Sequence, residues 1–267
     1  MTTPKIEQPA PDYVPGHDLL AGKVVVVTAA AGAGIGAAVV RRVLEEGARL
    51  VVFGDTHQRR LVESQEKLAG EFGADRVLSL LCDVTDEAQV AALVDAAEEA
   101  GGVDVMVNNA GLGGTVAITE MSDEEWSRVI DITLTGTMRC VRAAARSMIA
   151  NDKRGVIVNN ASVIGWRAQE GQAHYAAAKA GVMALTRCAA LDLAGHGIRV
   201  NAVSPSLAMH PFLAKVTSEE LLAELKQREA FGRAAEPWEV ANVMVFLASD
   251  YSSYLTGEVV SVSSQHA

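Results

Sequence analysis

Three side chains of this 267-residue sequence are spaced for proton chemistry at an oxygen atom: Ser162, Tyr175 and Lys179. Tyr175 and Lys179 stand four apart in the run HYAAAKAGVMALT, so a helix there projects both from one face, with Cβ atoms about 5–6 Å apart. A free tyrosine titrates near about 10, and a neighbouring ammonium favours the phenolate, which draws the phenol toward acid/base work near neutral pH. Ser162, thirteen positions before Tyr175, supplies a hydroxyl that can hold a substrate oxygen. A Tyr-x-x-x-Lys pair is weak by itself. Here it follows a glycine-rich turn, TAAAGAGIG from Thr28 to Gly36, and a run NNAG ending at Gly111, all in one order along the chain.

The elements that must carry these residues are legible as alternating patterns. Short apolar, β-branched runs at 23–28, 49–53, 76–82, 103–109, 155–161, 198–204 and 258–262 read as seven strands, with helical stretches between nearly all of them. Apolar strands separated by helices imply a parallel sheet covered on both faces. The predicted fold is α/β: a single doubly wound Rossmann domain with a seven-stranded parallel sheet over 21–267. A helix is expected over 34–46, directly after the glycine turn. Another starts at the cap Ser122, with Glu125 completing a capping box, and runs past Arg139. The Tyr175 helix is Ala-rich almost all round, which predicts burial of both its faces. Residues 1–20 are polar and Pro-rich, an N-terminal extension that is flexible or held at an interface, and 207–233 is expected to cover the substrate as a lid.

Composition narrows the function classes. Lys+Arg number 23 against 33 Asp+Glu, a net charge of -10, and basic residues cluster no further than the pairs Arg41-Arg42 and Arg59-Arg60, so nucleic acid is not an expected partner. Cys82, Cys140 and Cys188 stand singly, without metal-ligand or redox spacing, and read as small buried hydrophobes; no metal is expected. No apolar run reaches the roughly 18 residues needed to span a bilayer, and the N-terminus lacks the pattern of a secretion signal. The expected location is the cytoplasm, without membrane association.

Ser162, Tyr175, Lys179, the 28–36 turn and the NNAG run resemble the short-chain dehydrogenase/reductase family, over about 23–262. The resemblance implies that Tyr175 is the general acid/base, that Ser162 orients a carbonyl or hydroxyl, and that Lys179 modifies the phenol and holds a ribose. Around Thr28 and Ile35, the glycines Gly32, Gly34 and Gly36 let the backbone approach a pyrophosphate at a helix N-terminus. The turn is one residue longer than the family pattern, with Ala29 where its first Gly stands. Asp55, nineteen residues after Gly36, is placed to accept hydrogen bonds from ribose hydroxyls and to repel a 2′-phosphate, which selects NAD; Arg59 and Arg60 keep NADP open. Asp83 and Val84 match adenine-contacting positions, the alternative for Asp83 being a helix cap. Asn109, Ala110 and Gly111 match the backbone that passes the cofactor, and Pro205 and Leu207 lie in the loop after the sixth strand that flanks it.

Departures from the family pattern are as informative. Thr133 stands in place of an Asn that holds a water on the proton path, so its role is catalytic or simply helix packing. Ser206 replaces a Gly, and His210 stands where a Thr often meets the nicotinamide carboxamide. Trp166 offers a flat apolar wall and Arg167 a fork for a carboxylate or phosphate, or else a surface ion pair. His174 and His210 read as substrate ligands, proton carriers or plain surface. The runs ASVIGWRAQ and FGRAAEPWEVA resemble an actinobacterial branch associated with steroid catabolism. That implies an NAD-dependent alcohol dehydrogenase for a bulky alicyclic secondary alcohol, such as a steroid-ring degradation acid or its coenzyme A thioester. The alternatives are a 3-oxoacyl-thioester reductase and a non-catalytic dinucleotide-binding regulator. Relatives also imply a homo-oligomer, tetramer or dimer, joined through the Ser122 and Tyr175 helices.

Overall fold

A computed structural model describes residues 7–209 and 219–264. Strands β1 (Val24–Thr28), β2 (Leu50–Asp55), β3 (Val77–Leu81), β4 (Val105–Asn108), β5 (Val156–Asn160), β6 (Arg199–Pro205) and β7 (Val259–Val262) form one parallel sheet in the order β3-β2-β1-β4-β5-β6-β7. All five residues of β1 are buried, as a strand covered on both faces must be. Alternation sorts them: Val25 and Val27 face a core with Val40, Val43, Val240 and Met244, while Val24 and Val26 face one with Met106, Cys140, Ala144 and Ile157. Each fully buried aliphatic side chain contributes about 1.5–3 kcal/mol, so stability rests on many small residues rather than on aromatics.

The described helices are α1 (Ile35–Glu45), α2 (Gln58–Phe72), α3 (Glu87–Asp95), α4 (Asp123–Ile130), α5 (Gly136–Ala150), α6 (Ala173–Ala194), α7 (Glu219–Arg228) and α8 (Pro237–Ala248). The Ser122–Glu125 capping box starts α4, where both reciprocal bonds are made. The helix then continues into α5 through a π-helical turn, Asp131–Thr135, which inserts one residue into the ladder and carries Thr133.

Two burial expectations need correction. One face of α6 is open in the single chain, where Ala173, Ala177, Ala180, Ala184, Cys188 and Leu191 form an exposed apolar stripe. Cys188 is therefore exposed, unlike Cys82 and Cys140. Burial pushes the Cys82 thiol up to about 11 and raises that of Cys140 further, so both are inert. The reason is the same at both corrections: alanine and cysteine suit a core and a small-residue surface equally well.

Candidate active site

The strand order reverses between β1 and β4, and the crevice outside the carboxyl ends of these strands gathers the residues singled out by the sequence. The turn after β1 is routed by two left-handed residues, Ala29 at φ 51° and Gly32 at φ 101°. At Gly36 a Cβ would lie 2.4 Å from the Ala29 carbonyl oxygen and 2.6 Å from Asn109 Nδ2, so α1 meets the turn only through glycine. Gly34 caps α1 without a side-chain bond, which leaves first-turn N–H groups facing the crevice for an anion.

The strand tips are tied together from the side. Thr28 Oγ1 accepts from the amides of Asn109 (3.0 Å) and Ala110 (3.1 Å), and Asn109 Nδ2 donates to the Ala29 carbonyl at 2.9 Å. Asn160 Nδ2 donates to Asn109 Oδ1 at 2.9 Å, which carries the lattice on to β5. At the end of β2, the Asp55 carboxylate accepts from the amides of Ala31 and His57, each at 3.1 Å, and Arg60 Nη2 stands 3.6 Å away. Asp55 is thus built into the glycine turn, and Arg60 offsets part of its charge. Asp83 is not the cap of α3; that is Asp86, which accepts from Ala88 and Gln89. Asp83 Oδ1 instead accepts from the amide and hydroxyl of Thr85, and Val84 packs on Gly136, where a Cβ would lie 2.6 Å from its Cγ2.

The reacting groups lie on the other side of the switch point. Ser162 follows β5 and caps the short turn Val163–Gly165, its Oγ accepting from the Ile164 amide at 3.3 Å. That turn presses on α6 because Gly165 has no side chain: a Cβ would fall 3.0 Å from the carbonyl carbon of Lys179. The Ser162 hydroxyl acts on the Tyr175 phenol and favours its ionised form. Lys179 is buried, its Nζ donates to the Asn160 carbonyl at 2.5 Å, and it lies 5.6 Å from the centre of the Tyr175 ring. Burial brings the ammonium down to about 8. Burial also holds the phenol above its ordinary value, with Ser162 pulling the other way. Desolvation is the larger of the two effects, so Tyr175 stands as a neutral proton donor near neutral pH.

A roof of glycines covers this row. A Cβ on Gly111 would lie 3.3 Å from Lys179 Nζ, one on Gly113 3.7 Å from the Tyr175 ring, and one on Gly114 3.3 Å from His174 Nε2. Sequence reading picked out Gly111 and missed Gly113, Gly114 and Gly165; the doublet directly after NNAG is the signal that marks the first two. The roof is held by Thr133, whose Oγ1 accepts from the Leu112 amide at 3.0 Å and donates to its carbonyl at 3.2 Å. His174 is buried rather than on the surface, and its Nδ1 accepts from the Tyr175 amide at 2.9 Å, which leaves Nε2 as the protonated nitrogen of the neutral ring. Trp166, half exposed, and Arg167 follow Ser162 on the same rim. Pro205 ends β6, and Leu207 is buried beside it. His210 lies outside the described residues, as does part of the 207–233 segment.

A family model described as enoyl-(acyl carrier protein) reductase matches residues 29–264. A curated relative from Mycobacterium tuberculosis is 60% identical over 258 residues, 96% of this chain and 98% of that protein. The chain belongs to the short-chain dehydrogenase/reductase family. As a member it is an oxidoreductase of hydroxyl and keto groups that binds a nicotinamide dinucleotide. The M. tuberculosis relative is named (5R,7aS)-5-hydroxy-7a-methyl-1-oxo-2,3,5,6,7,7a-hexahydro-1H-indene-carboxyl-CoA reductase. Another, cis-4-hydroxycyclohexanecarboxylate dehydrogenase from Sinomonas cyclohexanicum, is 43% identical over 92% of this chain and 96% of its own length. Among solved structures, a short-chain dehydrogenase from Mycobacterium smegmatis superposes with a TM-score of 0.85 at 56% identity, covering 97% of this chain and 99% of that one. The M. tuberculosis and M. smegmatis proteins thus match nearly all of the chain.

Proposed function

We propose that this protein is an NAD-dependent oxidoreductase that interconverts a ring hydroxyl and a ring ketone on a bulky alicyclic acid or its coenzyme A thioester. The observation that carries this reading is the buried Lys179 ammonium 5.6 Å from the Tyr175 ring, with buried Ser162 beside them, at the end of the crevice opposite Asp55. A nicotinamide dinucleotide supplies or accepts the hydride when bound. In the reductive direction Tyr175 gives its proton to the substrate oxygen while Ser162 holds that oxygen, and the charged Lys179 stabilises the phenolate as it forms. Thr133 is a positioning residue that fixes the glycine roof through Leu112, since its hydroxyl already makes two bonds there.

Gly36 lets α1 close on the turn and Gly111 lets the backbone pass over Lys179, and the uncapped start of α1 suits a dinucleotide's pyrophosphate. Asp55 supports NAD over NADP, with Asp83, Val84, Asn109, Ala110, Pro205 and Leu207 completing the contacts. For the substrate, both curated relatives are named for a saturated or partly saturated ring that bears a hydroxyl and a carboxyl-derived group. Trp166 supplies an apolar wall for such a ring, and Arg167 a guanidinium for an acid or a phosphate. A 3-oxoacyl-thioester reductase is the second reading, favoured by the acyl-carrier description of the matching family model. The apolar stripe on α6 supports a homo-oligomer, and we place the protein in the cytoplasm; among the described residues no helix is long and apolar enough to cross a membrane.

Side-by-side fluorescence titration with NADH and NADPH tests the cofactor half, and a panel of ring alcohols and ketones tests the rest. Tighter NADPH binding overturns the Asp55 argument. Turnover of open-chain 3-oxoacyl thioesters in preference to ring substrates moves the assignment to the second reading.

A further inference from the structure

The segment before the fold is held by side chains of α1 and of Glu46, the residue that ends it. Glu46, fully buried, accepts at Oε2 from the amides of His17 (2.7 Å) and Leu19 (3.1 Å), while Arg42 Nη2 donates to its Oε1 at 2.6 Å. Arg42, also buried, donates to the carbonyls of Val14 and Pro15 and stacks over the ring of Tyr13 at 5.5 Å. Tyr13 bonds the Glu45 carboxylate and meets Trp238 of α8 edge-on at 5.3 Å. Gly16 passes so close to α1 that a Cβ would lie 2.1 Å from the Glu45 carbonyl oxygen. A buried ion pair needs its remaining hydrogen bonds satisfied, and here the backbone of residues 14–19 supplies those of Glu46 Oε2 and of Arg42 Nη1 and Nη2, while Arg42 Nε has no partner. This is a built seat for the segment.

Upstream of that seat the segment touches the 207–233 stretch expected to cover the substrate. The Gln8 amide donates to the Phe231 carbonyl at 2.9 Å, and the charge of Glu7 acts on Arg233, which is bonded to Glu239 of α8 at 2.6 and 2.8 Å. The short stretch 229–235 is bonded on its other side to the loop after β6. The Ala235 amide donates to the Leu207 carbonyl at 2.8 Å, the Met209 amide to the Ala235 carbonyl at 2.9 Å, and the Leu207 amide to buried Glu229 at 3.3 Å. We propose that residues 7–20 form an external brace, seated on Arg42 and Glu46, that holds 229–235 against Leu207–Met209 and thereby sets substrate affinity. The effect on substrate rests on the function proposed above; the brace itself does not.

Two variants separate the contact from the seat. Gln8→Pro removes one N–H donor from an exposed position beside Pro9, and deletion of residues 1–9 removes the whole contact while Tyr13, Val14 and the buried pair stay in place. Hydrogen exchange in the otherwise intact protein should show the amides of 229–235 and 207–209 opening about fivefold faster, the worth of one hydrogen bond. With cis-4-hydroxycyclohexanecarboxylate and its coenzyme A thioester as probes, KM should rise about fivefold while kcat and the NADH dissociation constant stay within twofold. Unchanged exchange in both variants overturns the brace, and faster exchange with unchanged KM overturns its effect on substrate. Faster exchange in a protein whose parent turns over neither probe upholds the brace and removes the proposed substrate class.

Discussion

In the turn after β1, Gly32 adopts φ 101°, whereas Gly111, Gly113 and Gly114 after β4 have no positive φ and instead lie over Lys179, Tyr175 and His174. The first loop uses glycine for its backbone freedom and the second for its missing side chain. The difference shows in what each tolerates. A left-handed position can be held by an L-residue at a cost of about 1–2 kcal/mol, and Ala29 does so at φ 51° where the family pattern has glycine. Clearance over a packed row has no such compromise, because a neighbour has to move. Gly36 combines both loops: it belongs to the first in sequence but serves clearance, against Ala29 and a side chain from the NNAG run.

Substitutions can break or sharpen this contrast. The largest effect should come from beneath the roof: Tyr175→Phe removes the proton donor, and turnover should fall about 10²–10⁴-fold with NADH binding retained, measured by initial rates and fluorescence titration. A fully active variant would refute the assignment of the donor. Gly36→Ala drives a Cβ against backbone, and overpacking of about 1–3 kcal/mol should weaken NADH binding about 10- to 100-fold. Next is the proton inventory. Below about 8 Lys179 is charged and supports the phenolate that forms in reduction; above it the lysine is neutral. Reductive kcat/KM should therefore fall with rising pH beyond about 8, approaching tenfold per unit. A profile flat to high pH would separate Lys179 from the chemistry. Ala29→Gly should raise stability by about 1 kcal/mol in denaturant melts. Gly113→Ala, with ordinary contact at 3.7 Å, should change stability by less than about 0.5 kcal/mol, and a large loss there would show that the second loop also depends on backbone freedom.

How much of this was readable depended on whether the cause was local. Every strand was, because valine-rich runs such as 23–28 carry their own burial pattern, and the α4 start was, because Ser122 and Glu125 make a self-contained motif. Ser162, Tyr175 and Lys179 were singled out by their spacing together with the glycine turn and the NNAG run that precede them. The π-turn that seats Thr133 has no such signature, since it arises from how α4 and α5 pack on α6. The alternative reading of Asp83 as a helix cap stayed open because Asp83 and Asp86 both precede a helical run, and only the geometry shows that Asp86 is the cap and that Asp83 turns to Thr85. The seat for residues 14–19 was invisible for the same reason: Arg42 and Glu46 look like any charged pair on a helix until the distant backbone that satisfies them is in view.

The unequal surroundings of the three thiols give the molecule a built-in reporter. Cys82 and Cys140 are sealed in the core, and Cys188 sits midway along the open stripe of α6. A water-soluble maleimide should therefore add one equivalent per chain to the separate chain and none where two copies cover that helix, so a mass spectrum of the alkylated native protein counts partnered faces.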